Sequence, residues 1–326
     1  MTKKIGVLTS GGDSSGMNAA VRAVVRTGIY HDCKMYAIQK GFEGLIHNNI
    51  YELDVGSVGG IIGHGGTFIQ TARSAAFMTK EGRQLAYDNF KKHGLDALVV
   101  IGGDGSFHGL HEFIKEFGIQ GIGLPGTIDN DLFGTEFTIG FDTALNTAVD
   151  CIDKLRDTAT SHSRLFIVEV MGRHSGYIAA YSGIATGAEN VFIPETPDDF
   201  VKLCSNLRKG QARGKKSAII IVAEGDENGG GMEVEKKIKE ILPDWDIRLS
   251  IIGHIQRGGR PSAIDRIVAS RLGYESILAL LKGQTGIMVG YQGLDCDVSF
   301  VPLQETWEKR KQIHKEWLDI TQVLSI

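Results

Sequence analysis

Short apolar runs rich in valine, isoleucine and leucine alternate along the chain with stretches whose apolar positions recur every three or four residues. An apolar run bounded by turn residues predicts a strand, and the 3.6-residue period predicts a helix. The clearest strands fall at residues 4–8, 97–101, 121–124, 165–170, 218–223 and 248–252. Over 143–157, Leu145, Ala148, Val149, Ile152 and Leu155 recur at helical spacing and leave Asp150, Asp153, Lys154 and Arg156 on other faces. A last helix is expected at about 305–318, its alternating charges on the outside of the protein. Strands and helices in alternation predict an α/β fold with mainly parallel sheets.

The residues after the strands carry the candidate chemistry. Thr-Ser-Gly-Gly-Asp follows the first, Gly-Gly-Asp-Gly-Ser the second and Pro-Gly-Thr-Ile-Asp-Asn-Asp the third. Later strands run into Met-Gly-Arg, Glu-Gly and Gly-His-Ile-Gln-Arg-Gly-Gly. In open α/β sheets ligands bind beyond the carboxyl ends of the strands, so six such ends predict one composite site.

Composition narrows the class. The 326 residues are enough for about two domains, and 42% hydrophobic with 23% charged residues fits a soluble globular protein. Glycine (43) far outnumbers proline (6), as many tight strand-to-helix turns would require. A net charge of −4 supplies no overall basic field for nucleic acid. Cys33, Cys151, Cys204 and Cys296 lie far apart with no CxxC pair, which argues against a disulfide framework or zinc site. The apolar stretch at 5–8 is too short for a signal peptide, and no apolar run approaches a membrane span. A cytoplasmic protein is expected, with neither nucleic acid nor membrane as partner.

Glycines in the turn at 10–18, Gly11 among them, let backbone N–H groups approach a phosphate at a helix N-terminus. Met17-Asn18 stands where a P-loop requires Lys-Ser/Thr, and the turn is not GxGxxG either, so an ordinary strand–helix turn is the alternative. Gly103, Gly105 and Ser106 can cradle phosphates around Asp104, whose carboxylate suits a magnesium ion already bound to them. An Asp capping the following helix is the competing reading. Thr127, Ile128, Asp129, Asn130 and Asp131 put two carboxylates two residues apart after a strand. One of them suits a general base for an attacking hydroxyl, although a solvated turn favours the same residues. Arg73, Arg164, Arg173, Arg248 and Arg257, with His254, lie beside glycine turns or at strand ends, where guanidinium forks match phosphate oxygens.

The strings KKIGVLTSGGD, GGTFIQTAR, LVVIGGDGS, IGLPGTIDND, VEVMGR, AEG and GHIQRGG, in this order and spacing, resemble the bacterial ATP-dependent 6-phosphofructokinase family from about residue 3 to 318. The resemblance implies a homotetramer of two-domain α/β chains with the site in the cleft between domains. Their bounds would be 1–140 plus about 256–304 (nucleotide) and about 141–255 plus 305–326 (sugar phosphate). It implies ATP- and Mg2+-dependent phosphorylation of fructose 6-phosphate at its C1 hydroxyl, the committed step of glycolysis. Gly11, Arg73, Ser74, Gly103, Asp104, Gly105 and Ser106 would hold ATP, with Asp104 serving the metal. Asp129 would be the base, supported by Thr127 and Asp131, and Arg173 would neutralise the transferring group. Thr127, Ile128, Asp129, Met171, Gly172, Arg173, Glu224, His254, Ile255, Gln256 and Arg257 would line the sugar-phosphate site. Arg164 and Arg248 would reach the 6-phosphate from a neighbouring subunit. Arg22, Arg26, Arg156, Gly187, Glu189, Arg213, Lys215 and Ser217 would form an effector site for ADP or phosphoenolpyruvate.

Several residues depart from the family pattern. Ser14-Ser15 replaces the common Ala-Pro. Ser74 and Met78 stand where many relatives have an aromatic residue and an Arg near adenine and ribose. Val55 stands where an effector-binding Arg is usual, and Ser217 where His occurs. Pyrophosphate-using relatives typically carry Asp where this chain has Gly105 and Lys where it has Gly126, which favours ATP as donor. The alternatives are a pyrophosphate-dependent enzyme and a non-catalytic sugar-phosphate or nucleotide sensor. A binding protein has no need of the proton acceptor, and a nicotinamide oxidoreductase would need the GxGxxG that is missing.

Overall fold

The computed structural model describes residues 2–293 and 297–324, so Cys296 lies outside the described residues. In chain order the first elements are β1 (Lys4–Thr9), α1 (Met17–Tyr30), β2 (Lys34–Ile38), α2 (Gly41–Ile46), β3 (Ile50–Leu53), α3 (Lys80–Lys92), β4 (Ala97–Gly102), α4 (Asp104–Phe117) and β5 (Gln120–Pro125). They are followed by α5 (Phe141–His162), β6 (Leu165–Val170), α6 (Tyr177–Thr186), β7 (Asn190–Phe192), α7 (Phe200–Ala212), β8 (Ala218–Ala223), α8 (Gly231–Ile241) and β9 (Ile247–Ile251). The last are α9 (Ala263–Leu281), β10 (Ile287–Gln292), β11 (Asp297–Pro302), α10 (Glu305–Glu308) and α11 (Lys315–Leu324).

The chain divides into two compact units. Unit 1 holds the residues up to Ile128 with Leu132–Thr143 and Arg257–Lys311; unit 2 holds Asp129–Asp131, Ala144–Gln256 and Gln312 onward. Unit 1 is built on a seven-stranded sheet in the order β11-β10-β5-β4-β1-β2-β3. Its inner pairs are parallel, and both edge strands, β3 and β11, run antiparallel to their neighbours. Successive side chains of a strand point to opposite faces. Val7, Val99 and Ile101 therefore pack under α1 and α9, while Leu8, Leu98 and Val100 pack against Phe107, Leu110 and Phe113 of α4 and Phe90 of α3. Helices on both faces explain why β4 reads as an unbroken apolar run: all six of its residues are buried. α1 and α9 pack closely because Gly273 has no side chain; a methyl there would lie 2.6 Å from Ala23 Cβ.

Unit 2 carries a four-stranded parallel sheet, β7-β8-β6-β9. Leu165 and Ile167, Ile220 and Val222, and Ile247 pack on α7 and α8. The expected α/β fold with mainly parallel sheets is thus found, each expected strand within one residue at either end. The helix expected at 143–157 is longer, Phe141–His162.

The helix expected at 305–318 is a correction: it is two helices, α10 and α11, broken between residues 308 and 315. The intervening backbone has other partners. Arg310 forms an antiparallel bridge to Leu132, Lys311 Nζ donates to the Glu136 carbonyl (2.7 Å), and Tyr177 OH donates to the Gln312 carbonyl (2.8 Å). These contacts hold the segment out of helical conformation. No helix among the described residues is long and apolar enough to cross a membrane. Cys33, Cys151 and Cys204 are free thiols, each pushed up in pKa first by burial.

Candidate active site

In unit 1 two turns approach each other at the carboxyl ends of adjacent strands β1 and β4. Ser10 N–H donates to the Ile101 carbonyl at 2.9 Å, and a methyl on Gly102 would lie 2.6 Å from the Ser10 carbonyl. Gly11 (φ +86°) and Gly16 (φ +108°) take left-handed conformations that disfavour a side chain. The Ser14-Ser15 departure replaces stiffness with hydrogen bonds: Ser14 Oγ donates to the Ile139 carbonyl (2.7 Å), and Ser15 Oγ lies 3.0 Å from the Gly259 carbonyl. Asn18, buried in the first turn of α1, donates to the His64 and Gly65 carbonyls and accepts the Phe68 N–H.

The cap of α4 is Gly103, so Asp104 is the first helical residue rather than the cap. Its Oδ1 accepts the Gly105 N–H at 2.7 Å. Oδ2 has no hydrogen-bond donor among the described residues, and Asp104 is exposed at the positive end of the helix. A methyl on Gly105 would meet nothing within 4 Å, so the space beside this carboxylate is open. Ser106 is buried. One solvent-facing carboxylate at a phosphate-type turn fits a magnesium ion, which brings most of its ligands as water and phosphate. Among the described residues no group of three His, Cys, Asp or Glu side chains could hold a metal by itself.

Arg73 is exposed. Its neighbour Ser74 donates from Oγ to Glu43 Oε2 at 2.5 Å and accepts the Phe77 N–H at 3.2 Å. Met78 is 81% exposed. Arg257, expected at the sugar phosphate, lies on the first glycine turn: its Nη1 donates to the Asp13 carbonyl (3.1 Å) and fills the space over Gly12.

Past β5, the Thr127 carbonyl accepts a 2.6 Å bond from Thr138 Oγ1. Asp265 of α9 then secures the start of α5, accepting Gly140 N–H (2.7 Å), Thr143 N–H (2.8 Å) and Thr143 Oγ1 (2.5 Å). Burial outweighs these three donors and pushes the Asp265 carboxyl up to about 6. Ile128 is fully buried, which leaves only its backbone for a ligand.

The unit 2 residues of this loop are Asp129, buried at 8% exposure; Asn130, in the left-handed region at φ +51°; and half-buried Asp131. Ser175 Oγ donates to the Asp129 carbonyl at 2.8 Å, and Ser175 N–H to the Gly172 carbonyl at 2.9 Å, tying the loop to the end of β6. There Met171 N–H donates to Gln256 Oε1 (2.9 Å), while Gly172 and Arg173 N–H both donate to Glu224 Oε1 (3.3 and 2.7 Å). Glu224 and Gln256 thus brace the backbone that presents Arg173, itself held at φ +56°. Met171 is buried, and His254 and Ile255 are exposed.

Arg164 and Arg248 share one anchor. Arg164 Nε lies 2.7 Å from Asp246 Oδ2 and Arg248 Nη2 3.0 Å from Oδ1. The hydrogen bond from Arg164 holds the Asp246 carboxyl below the usual range. Among the expected effector residues, Glu189 accepts Ile219 N–H at 2.5 Å and pairs with Lys215 (2.8 Å) and Arg156 (3.8 Å). Arg156 also donates to the Thr186 and Gly187 carbonyls, and Ser217 Oγ lies 3.2 Å from Thr160 Oγ1. Glu189, Arg213, Lys215 and Ser217 line a cavity of about 780 Å³ in unit 2 that reaches Arg164 and Asp246. Arg22 and Arg26 lie one turn apart on α1 of unit 1; burial, and then Arg26, lowers the Arg22 pKa.

Asp265, Ser175 and Glu43 were not singled out from sequence. Each acts through hydrogen bonds to a distant part of the chain, and no local spacing betrays it.

A family model described as Phosphofructokinase matches residues 4–280. The chain is 53% identical over 324 residues to "ATP-dependent 6-phosphofructokinase" of Bacillus pumilus (strain SAFR-032), covering 99% of this chain and 100% of that one. It is 52% identical over 327 residues to the protein of the same name from Bacillus subtilis (strain 168), with 99% and 100% covered. The solved phosphofructokinase of Saccharomyces cerevisiae superposes with a TM-score of 0.89 at 38% identity; the alignment spans 100% of this chain and 48% of the yeast chain. A pyrophosphate-dependent phosphofructokinase from Marinobacter aquaeolei shares the fold, with a TM-score of 0.84 at 22% identity and coverage of 99% and 91%. With a family model across most of its length and full-length relatives at half identity, this chain belongs to the phosphofructokinase family.

Proposed function

We propose that this chain transfers the γ-phosphoryl group of ATP to the C1 hydroxyl of D-fructose 6-phosphate, giving fructose 1,6-bisphosphate and ADP, in the cytoplasm as the committed step of glycolysis. The names of the full-length relatives support the activity. The observation that carries the choice of donor is the contrast between two glycines. Gly105 is open, with nothing within 4 Å of a methyl placed on it, so a further phosphate has room beside Asp104. Gly126 is closed: a methyl there would lie 2.9 Å from Ile101 Cγ2 and 3.0 Å from Met17 Cε. A lysine suited to pyrophosphate would not fit without repacking the core.

In this reading unit 1 is the nucleotide-binding domain and unit 2 the sugar-phosphate domain. Gly11, Arg73 and the Gly103–Ser106 turn take the ATP phosphates, Ser74 contacts ATP on its adenine and ribose side, and Asp104 would hold a magnesium ion, which when bound offsets charge on the phosphate oxygens. Asp129 accepts the C1 hydroxyl proton as that oxygen forms its bond to phosphorus and ADP departs. Thr127 and Asp131 support Asp129, and Arg173 neutralises charge on the transferring group. Thr127, Ile128, Met171, Gly172, Glu224, His254, Ile255, Gln256 and Arg257 contact the sugar phosphate. Arg164 and Arg248 reach the 6-phosphate of a neighbouring subunit in a homotetramer. An anionic effector, ADP or phosphoenolpyruvate, binds by Arg156, Gly187, Glu189, Arg213, Lys215 and Ser217 of one subunit with Arg22 and Arg26 of another. A coupled assay for fructose 1,6-bisphosphate, run with ATP and pyrophosphate in parallel, tests the reading. Turnover only with pyrophosphate, or binding with no turnover by either donor, would overturn it.

A further inference from the structure

Arg73 lies in a stretch without helix or strand, between short 3-10 turns at Ile61–Gly63 and Ala76–Met78. Up to Thr71 this stretch is fastened to β1, to the turn after it and to the turn between β2 and α2. Thr9 Oγ1 lies 3.0 Å from both Thr67 Oγ1 and the Gln70 carbonyl, and Lys40 N–H donates to the Ile69 carbonyl at 2.9 Å. Thr71 Oγ1 then donates to the carbonyl of Gly11 itself at 2.9 Å. On the other side of Arg73 the first anchor is Ser74, bonded to Glu43 Oε2 at 2.5 Å and to Phe77 N–H at 3.2 Å. Phe77 stacks on Phe42 of α2, ring centroids 4.0 Å apart. Arg73 therefore sits between two side-chain anchors, one on the phosphate-type turn and one on the carboxylate of Glu43.

We propose that Glu43 is a positioning residue for the phosphoryl donor: through Ser74 it fixes the backbone that presents Arg73 to the ATP phosphates. The inference rests on the reading of Arg73 as a phosphate contact. A carboxylate facing the nucleotide would repel it, but both oxygens of Glu43 are engaged, Oε2 by Ser74 and Oε1 by His47 Nε2 at 3.0 Å. The hydrogen bond from Ser74 keeps the carboxyl ionised below its ordinary range, and a hydrogen bond to an ionised acceptor is roughly twice as strong as a neutral one. An arm held in place before the ligand arrives spends less of its binding energy on ordering.

The full-length protein carries the test, with the MgATP dissociation constant measured by titration beside KM and kcat. Glu43→Ala should weaken MgATP binding about three- to tenfold, the loss of part of a charged hydrogen bond. KM for fructose 6-phosphate and kcat should stay within about twofold, because the anchor lies in unit 1 and touches no reacting atom. Glu43→Gln still accepts from Ser74 and should recover most of the loss. Ser74→Ala should lose at least as much, since Ser74 is itself read as an ATP contact, whereas Glu43→Asp, still charged but one methylene shorter, should show most of the loss and carries the test if Glu43→Ala fails to fold. In an Arg73→Ala background, Glu43→Ala should cost nothing further. If Arg73→Ala alone leaves MgATP binding intact, the reading of Arg73 is wrong. If Arg73→Ala weakens binding while Glu43→Ala and Glu43→Asp do not, or if the losses of Arg73→Ala and Glu43→Ala simply add, the positioning role is overturned.

Discussion

Arg173 holds a backbone conformation, φ +56°, that a non-glycine residue adopts only at a cost on the order of 1–3 kcal/mol. Its N–H is bonded to Glu224, and Glu224 is bonded again by Gly172, so two hydrogen bonds to one carboxylate hold the strained turn. Asp129 is tied to the same turn through Ser175. This rigidity is what a base needs to meet a hydroxyl at one place. Asp129→Ser should therefore lower kcat by a factor of about 10² or more, while the fructose 6-phosphate dissociation constant changes far less. A turnover number like the wild type's would remove Asp129 from the role of base. Asp104, Asp129 and Arg173 could be proposed from the sequence because each stands at a strand end within a motif string that the family shares. Asp265 could not, since its partners Gly140 and Thr143 lie 125 and 122 residues away and a carboxylate on a helix reads as surface. Arg257 shows a different limit: its type was informative, but only the fold sets it on the first glycine turn.

At the scale of elements, β1, β4, β6 and β8 were readable because strands buried on both faces are continuous apolar runs. Edge strands β3 and β11 are partly polar, and β7 has only three residues, so their patterns are faint. The broken last helix was misread because charge alternation cannot report that the backbone of Arg310 is paired with Leu132. The loops entering α7 and α8 meet in a similarly hidden way. Asn228 Nδ2 donates to Asp198, and to Asp226 at 3.0 Å, while Lys237 Nζ donates to Asn228. Burial first, then the charges of Asp226 and Glu227, push the Asp198 carboxyl up to about 7. A folded pKa above the unfolded value of about 3.9 means that the protonated form favours folding. That stability is complete below the unfolded pKa and is lost as pH rises through about 7. Asp198→Asn cannot ionise, so between pH 6 and 8 the wild type should lose more melting temperature than the variant, by about 2 °C or more. Parallel melting curves across that range would show that Asp198 does not titrate there.

For the whole molecule, the order of the motifs made the α/β architecture and the family legible, whereas assembly and regulation leave only scattered charges in a sequence. If Arg164 and Arg248 serve a neighbour's substrate, two crippled subunits can complement each other. Mixing Asp129→Ser with Arg248→Ala protein should restore part of the activity, and no recovery after verified subunit exchange would count against shared sites. The proposed effector site carries a prediction of its own. Glu189 is already neutralised by Lys215 and Arg156, so of the unit 2 effector cations Arg213 is the exposed one outside that network. Val55, 48% exposed, adds an apolar surface where a guanidinium is usual in the family. A lost charged hydrogen bond is worth about 1.5–3 kcal/mol, or roughly ten- to a hundredfold in affinity. An effector shifts a conformational equilibrium only through its difference in affinity for the two states, so a missing contact to one state shrinks the shift itself. Phosphoenolpyruvate and ADP should therefore act weakly, at roughly millimolar levels. Fructose 6-phosphate saturation curves recorded with and without phosphoenolpyruvate decide the matter. Sigmoidal inhibition at micromolar effector would refute the expectation, because it would mean that another cation replaces the missing one. A Val55→Arg variant that acquires such inhibition, with its uninhibited kcat retained, would trace the weak response to this one position.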